Sequence, residues 1–140
     1  MSFFEKSVKA ATSKILDDIN TKCYQVSWEL FSLVVSKTPS QTNPGPTSKG
    51  LLANQWYPQT GSASSAKGTS TSPNGSDSLA RIKSLLNGRE FYSKEGRFTL
   101  SNNLDYALQA ESEGWRRTTP YRMVALSLQA TTIKFKQIRI

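Results

Sequence analysis

Between Ser2 and Ser36 the chain contains neither proline nor glycine, and through that whole stretch apolar residues return every three or four positions. Phe4, Val8, Ala11, Ile15, Ile19, Cys23, Val26, Leu30 and Val34 keep the period of an α-helix, with Lys6, Lys9, Lys14, Asp17, Asp18 and Lys22 on the opposite side. Ser2 and Glu5 have the spacing of a capping box, in which each side chain satisfies an amide left free at a helix start. The pattern predicts one helix over residues 2–35, and the rest of a 140-residue chain must then be arranged around it. Beyond Tyr24 apolar residues spread to more sides, through Trp28, Leu30, Phe31, Leu33, Val34 and Val35. A helix of that kind is expected to be covered on two sides at its end, by the chain's own sheet and by a neighbouring subunit.

The middle of the chain breaks this regularity. Residues 36–50 carry three prolines and two glycines and read as a loop. From Gly50 to Gln59 an alternation of Leu52, Asn54 and Trp56 with Leu51, Ala53, Gln55 and Tyr57 is compatible with a strand. Residues 60–78 are rich in serine, glycine and threonine, with nothing larger than Lys67. Such a segment has no apolar surface to bury and is expected to be mobile on its own, either as a passive loop or as an arm that orders against a partner. Deletion of residues 62–76 is expected to leave a folded protein.

Asp77 or Ser78 is placed to cap a short helix carrying Leu79, Ile82, Leu85 and Leu86, with Gly88 as its stop. Glu90–Tyr92 and Arg97–Ser101 read as two short strands joined by a turn at 93–96. Leu104–Ala110 fits a short helix or an irregular turn equally well. Thr119 and Pro120 have the residue types of an N-cap and a first helical position, which predicts a helix over about 119–130. The tail 131–140 fits neither period. The fold class expected is α+β: a single domain, 1–140, in which a long N-terminal helix packs on a small antiparallel sheet, with short helices, the 60–78 loop, and a region 79–140 of helix, hairpin and C-terminal contact segment.

Chemistry is constrained by what the chain lacks. It has no histidine, the commonest general base and metal ligand. Its one cysteine, Cys23, has no partner for an intramolecular disulfide and reads as a small buried apolar residue. No glycine-rich phosphate loop is present. Glu111 and Glu113, two residues apart, are a carboxylate pair that could in principle do acid–base work, and neither a nucleophile nor a cleft accompanies them. No catalytic, cofactor or metal residue can be nominated, and the protein is expected not to be an enzyme. No apolar run is long enough to cross a membrane and the N-terminus lacks a signal sequence, so a cytoplasmic site of synthesis and assembly is expected.

Charge and aromatic content point to contact instead. Lys and Arg number 18 against 10 Asp and Glu, a net charge of +8. The last acid is Glu113, and Arg116, Arg117, Arg122, Lys134, Lys136 and Arg139 follow it. That surplus fits attraction to a polyanion or to an acidic protein rim, and it equally fits a solvated face. Apolar residues are 36% of the chain, low for a compact monomer, which leaves room for stability contributed by neighbours. Ser101–Val124 gathers Trp115, Arg116, Arg117, Tyr121 and Arg122 beside Glu111 and Glu113. These seven are the expected subunit or partner contacts, with a carboxylate of 111 or 113 pairing an arginine across the interface. Trp115 with Arg116 and Arg117 is also the best candidate for stacking and phosphate contacts with nucleic acid.

The order of these features resembles the neck proteins of tailed bacteriophages, the head–tail joining and tail-completion family that includes the lambda minor tail protein Z. Gly50, Leu52 and Trp56 stand where that family has a glycine–leucine–tryptophan step before its sheet. Asn102, Asn103, Leu104, Tyr106 and Ala107 match its asparagine–asparagine–leucine–proline–tyrosine–alanine motif, with Asp105 in place of proline. Gly114, Trp115, Pro120, Met123 and Val124 match a later glycine–tryptophan, proline and methionine–valine pattern, in which Arg122 replaces a glycine. The resemblance implies fold-fixing roles for Gly50, Leu52, Trp56, Asn102, Asn103, Tyr106, Gly114, Pro120 and Met123. It also implies a structural virion protein, a ring-forming subunit between the portal side of the head and the tail. Sixfold symmetry is favoured and twelvefold is the alternative, with portal, neck or tail-tube proteins as partners, no cofactor, no membrane, and DNA present only as genome passing the channel. The competing reading is a small basic nucleic-acid-binding protein.

Overall fold

The computed structural model describes residues 2–38, 51–87, 97–104, 107–112 and 122–135. Helix α1 runs Phe3–Lys37, 35 residues without a break. Its start is the expected capping box: the Glu5 amide donates to Ser2 Oγ at 3.1 Å, and the Ser2 amide donates to a Glu5 carboxylate oxygen at 3.2 Å. Its end is fixed by Thr38, whose hydroxyl donates to the Val34 carbonyl at 2.6 Å and accepts from the Trp56 indole N–H at 2.9 Å. Both bonds are buried, so the helix stops where a tryptophan of the next element can be held.

The two ends of α1 live in different surroundings. Val34 and Val35, adjacent in sequence and therefore on different sides of the helix, are both buried. Helix α2 (Ser76–Leu86) and helix α4 (Met123–Lys134) both pack against α1 and come from this same chain. Two sides of the end of α1 are thus covered by helices of this chain, where the sequence suggested its sheet as the internal cover. Tyr24, Trp28 and Phe31 extend the core outward from Val34, Leu52, Ile82, Leu86 and Met123. Toward the N-terminus the cover ends, and every residue from Ser2 to Ile15 is exposed. Cys23 is half-buried rather than fully enclosed.

A two-stranded antiparallel sheet closes the described core. Strand β1 (Trp56–Thr60) pairs with β2 (Phe98–Asn102) in a register that sets Trp56 opposite Asn102 and Thr60 opposite Phe98. Pro58, which has no amide to donate, is tolerated because β1 has one hydrogen-bonded neighbour among the described residues. The fold is thus α+β: among the described residues, a long helix with a small sheet and three shorter α-helices. The expected strand at 97–101 is present one residue later than predicted. The predicted partner strand 90–92, its turn at 93–96 and the stop at Gly88 lie outside the described residues.

Three local expectations change. The strand pattern at 50–59 begins only at Trp56, because Leu52–Asn54 form a 3-10 turn in which Leu52, Ala53 and Asn54 are all fully buried. A strand would turn alternate side chains out, and this position has to face inward three times running. The cap of α2 is Gly75 in the left-handed conformation, φ 66°, and neither Asp77 nor Ser78. A β-carbon at Gly75 would stand 2.5 Å from Val35 Cγ1 and 2.9 Å from the Ala53 carbonyl, so the position requires both the φ and the missing side chain of glycine. Helix α4 begins at Met123, with Arg122 left-handed at φ 49°, and not at Thr119; Thr119 and Pro120 lie outside the described residues. The open reading at 104–110 resolves as helix α3, Ala107–Ser112.

The serine- and glycine-rich segment 60–78 is integrated into the fold through its backbone. Thr60 belongs to β1, Pro73–Gly75 form a 3-10 turn, and Ser76–Ser78 start α2. Between them, Gly68 N–H donates to Gln55 Oε1 at 2.7 Å, and Asn54 Nδ2 donates to the Ser72 carbonyl at 2.7 Å. Ser101 Oγ and Asn103 Nδ2 both donate to the Ser64 carbonyl, at 2.9 and 2.8 Å. A segment with no apolar surface to bury is held here by polar side chains of its neighbours. Composition alone does not report that.

Candidate functional site

Of the seven expected contact residues, the structure describes Glu111 and Arg122; Glu113, Trp115, Arg116, Arg117 and Tyr121 lie outside the described residues. The two that are described meet. Arg122 N–H donates to the Glu111 backbone carbonyl at 3.1 Å, which brings the end of α3 against the start of α4. The Glu111 carboxylate then accepts from the Val124 amide at 3.0 Å and the Ala125 amide at 3.1 Å. A helix start leaves its first amides without partners and carries partial positive charge. Glu111 supplies both the acceptor and the negative charge from a different helix. Its described bonds are internal, to the amides of Val124 and Ala125. Glu111, Ser112, Arg122 and Ala125 line a shallow surface hollow at this joint.

Of the nine residues expected to fix the fold, five are described, and four of these, Leu52, Trp56, Asn102 and Met123, come together. Leu52, Trp56 and Met123 are buried in one apolar cluster. Asn102, opposite Trp56 in the sheet, donates from Nδ2 to the Leu52 carbonyl at 2.9 Å and accepts the Leu104 amide at 3.3 Å. Asn103 points its amide to the carbonyls of Ser64 and Ala66, at 2.8 and 3.0 Å. The first asparagine therefore locks the 3-10 turn to the sheet, and the second holds the serine-rich segment. Gly50, Tyr106, Gly114 and Pro120 lie outside the described residues. No protein-family model, curated protein or solved structure matches the chain.

A second polar cluster surrounds the start of α2. Asn54, fully buried, accepts the Asp77 amide on Oδ1 at 3.1 Å and so caps a helix that begins 22 residues later in the chain. Ser78 Oγ donates to the Ala53 carbonyl at 2.6 Å and accepts the Trp56 amide at 3.1 Å. Arg81 donates to the carbonyls of Asn54 and Trp56, and its guanidinium lies 3.9 Å from the centre of the Tyr57 ring. The Asp77 carboxylate accepts from Ser70 and Ser72. Every one of these groups has an internal partner, so the cluster reads as a joint rather than a binding site.

Large apolar side chains are also left uncovered among the described residues. Phe3 and Phe4 are 87% and 76% exposed, and Val8 and Ile15 follow on the same free half of α1. Helix α4 exposes Val124, Leu126, Leu128 and Ile133. A cavity of about 130 Å³ opens between the second half of α1, the sheet and α4, lined by Leu30, Phe31, Val34, Trp56, Leu100, Val124 and Leu128. The periodicity of α1 was legible as a stripe; that its first half would have no cover within the described residues was not. Nor did the sequence place Val124 and Leu128 on a surface, because α4 is apolar on more than one side and fits no single period.

Among the described residues no group of three or more His, Cys, Asp or Glu could hold a metal ion. No described helix is long and apolar enough to cross a membrane. The site as described offers contact area, two helix-start joints and an apolar hollow. It presents no grouping of acid, base and nucleophile.

Proposed function

We propose that this protein is a structural virion subunit of the bacteriophage neck, a tail-completion or head–tail connector protein that acts as a homo-oligomeric ring between the portal side of the head and the tail. The observation that carries the reading is the joint between residues from three separated motifs of the family it resembles. Leu52 and Trp56 from the first share one core with Met123 from the third, and Asn102 from the second is bonded to the Leu52 carbonyl. Motif residues that serve a common fold are expected to meet in this way.

Arg122 adds support from the one position where the chain departs from the pattern. Where the family carries glycine, Arg122 has φ 49°, the left-handed region that glycine enters at least cost. Exposed apolar surface on both α1 and α4 suits a subunit whose remaining cover comes from neighbours. A ring at a neck has to offer unlike faces to unlike partners, and it needs no catalytic group.

The test is head–tail joining. DNA-filled heads and complete tails that lack this protein are mixed with the purified chain, and joined particles are counted by electron microscopy and by plaque titre. Restoration of joined, infectious particles is expected; separate heads and tails at saturating protein would remove the reading. The surplus of +8 favours a second reading, a small basic nucleic-acid-binding protein. Duplex DNA binding whose affinity drops steeply as salt rises would support that alternative, because each phosphate contact releases counterions.

A further inference from the structure

The free half of α1 and the apolar cavity beside α4 lie on one molecule and cannot meet on it. Phe4, Val8, Ala11 and Ile15 fall within about 60° of arc on the helix, at 100° per residue. Leu30, Phe31 and Val34, which form one wall of the cavity, lie further along the same unbroken helix. At 1.5 Å per residue the centres of the two groups are about 33 Å apart along the axis, and they are rotated from each other by roughly 120°. A single rigid rod cannot fold its own first turns onto its last. If the stripe is to fill the cavity, it must do so in another copy.

We infer that the N-terminal half of α1, residues 3–15, docks by its apolar stripe into the α1–α4 cavity of a second copy of this chain, forming a head-to-tail contact. The occupant is fixed by fit and by extent. A space of about 130 Å³ walled by leucine, valine, phenylalanine and tryptophan and open on one side accepts roughly one aromatic ring. Phe4 is such a ring, 76% exposed, with Val8 one turn behind it to cover the exposed flank of Leu128. Phe4 alone would remove about 150–250 Å² from water, as a buried aromatic residue does. Val8 and Ile15, 49% and 52% exposed on the same stripe, extend the contact along the helix, and a contact of one stripe belongs to the small class of interfaces, below about 800 Å² per partner, that gain strength by repetition.

The contact is heterologous, because the two surfaces are different and sit at opposite ends of one rod. Repetition of such a contact closes into a ring or continues as a filament. This inference rests on the neck reading only for its biological setting; the contact stands on the surfaces themselves.

The experiment uses two variants of the full chain. Phe4→Asp with Val8→Asp spoils the stripe and leaves the cavity, while Leu128→Asp spoils the cavity and leaves the stripe. All three side chains are exposed, so both variants should keep the wild-type circular dichroism and melting temperature. Light scattering after size exclusion should show wild-type protein growing with concentration into species larger than a dimer. Each variant alone should be monomeric, with its dissociation constant raised at least 100-fold. An equimolar mixture should give a one-to-one heterodimer and nothing larger, since one good stripe meets one good cavity and the chain then stops.

A stripe variant that assembles like the wild type overturns the inference. So does a cavity variant that still assembles while the stripe variant does not, because that result means α1 pairs with α1. Wild-type protein that stays monomeric at several hundred micromolar overturns it as well. A ring that persists without the stripe sinks this contact and leaves the neck reading standing. A heterodimer from protein that fails to restore head–tail joining upholds the contact and removes the neck reading.

Discussion

Glu111 and Arg122 form one device at the residue scale. A left-handed residue immediately before a helix turns the chain sharply enough to expose the first amides, and a carboxylate from the preceding helix accepts two of them. Arginine in that conformation is held at a cost of about 1–2 kcal/mol relative to a right-handed residue, a cost glycine largely escapes. Arg122→Gly is therefore expected to raise stability by roughly 0.5–1 kcal/mol, the strain relieved less the extra freedom of glycine in the unfolded chain. Glu111→Ala should lower it by about 1–2 kcal/mol, as loss of a helix cap does, and Glu111→Gln by less because an acceptor oxygen remains. Urea denaturation of the three variants checks the signs. A destabilising Arg122→Gly would mean that the arginine side chain has a contact outweighing its backbone strain.

The segment 60–78 is where composition misleads at the scale of elements. Serine and glycine predict a tether that could be removed, yet its backbone is bonded to Gln55, Asn54, Ser101 and Asn103. Gly75 belongs to the cap of α2 and touches Val35 and Ala53 closely enough to exclude any side chain. Deletion of 62–76 is now expected to damage the fold: Asn54 would lose the Ser72 carbonyl, and α2 would lose its start. Loss of a cooperative thermal transition in the deleted protein checks this, and retention of the wild-type melting temperature would contradict it. Helix α1 teaches the converse. Its period was read from sequence over its full length, but one period served two surroundings, a packed half near Val34 and an exposed half near Phe4.

At the scale of the molecule, the described residues are packed unevenly. Their core gathers around the last third of α1, the sheet, α2 and α4, and the first turns of α1 project from it without cover from the described residues. An isolated helix of about a dozen residues is marginal in water, so the projecting half depends on continuity with the packed half or on a partner. Amides of residues 7–15 are expected to exchange early in dilute protein and to become protected at concentrations where copies associate. Hydrogen exchange followed by mass spectrometry at two protein concentrations measures this. Equal exchange at both, with association confirmed by light scattering, would place the contact elsewhere on the surface.

Local patterns carried much of this structure. Ser2 with Glu5, the unbroken three-and-four spacing after them, and Leu79, Ile82 and Leu86 on one face specified helix starts and helix periods, because capping and periodicity involve residues within a turn of each other. The strand at Phe98–Asn102 was legible for the same reason. What tertiary structure alone decided are the joints made across distance: Asn54 capping α2, Glu111 capping α4, Thr38 holding Trp56, and Ser64 held by Ser101 and Asn103. A cap that comes from another element has no fixed spacing to read. The same limit governed the apolar stripe of α1. Hydrophobic periodicity says that a face will be covered, and only the arrangement of the other elements says how far their cover reaches. They stop short of Phe3–Ile15, because the rest of the described core is gathered at the other end of the helix.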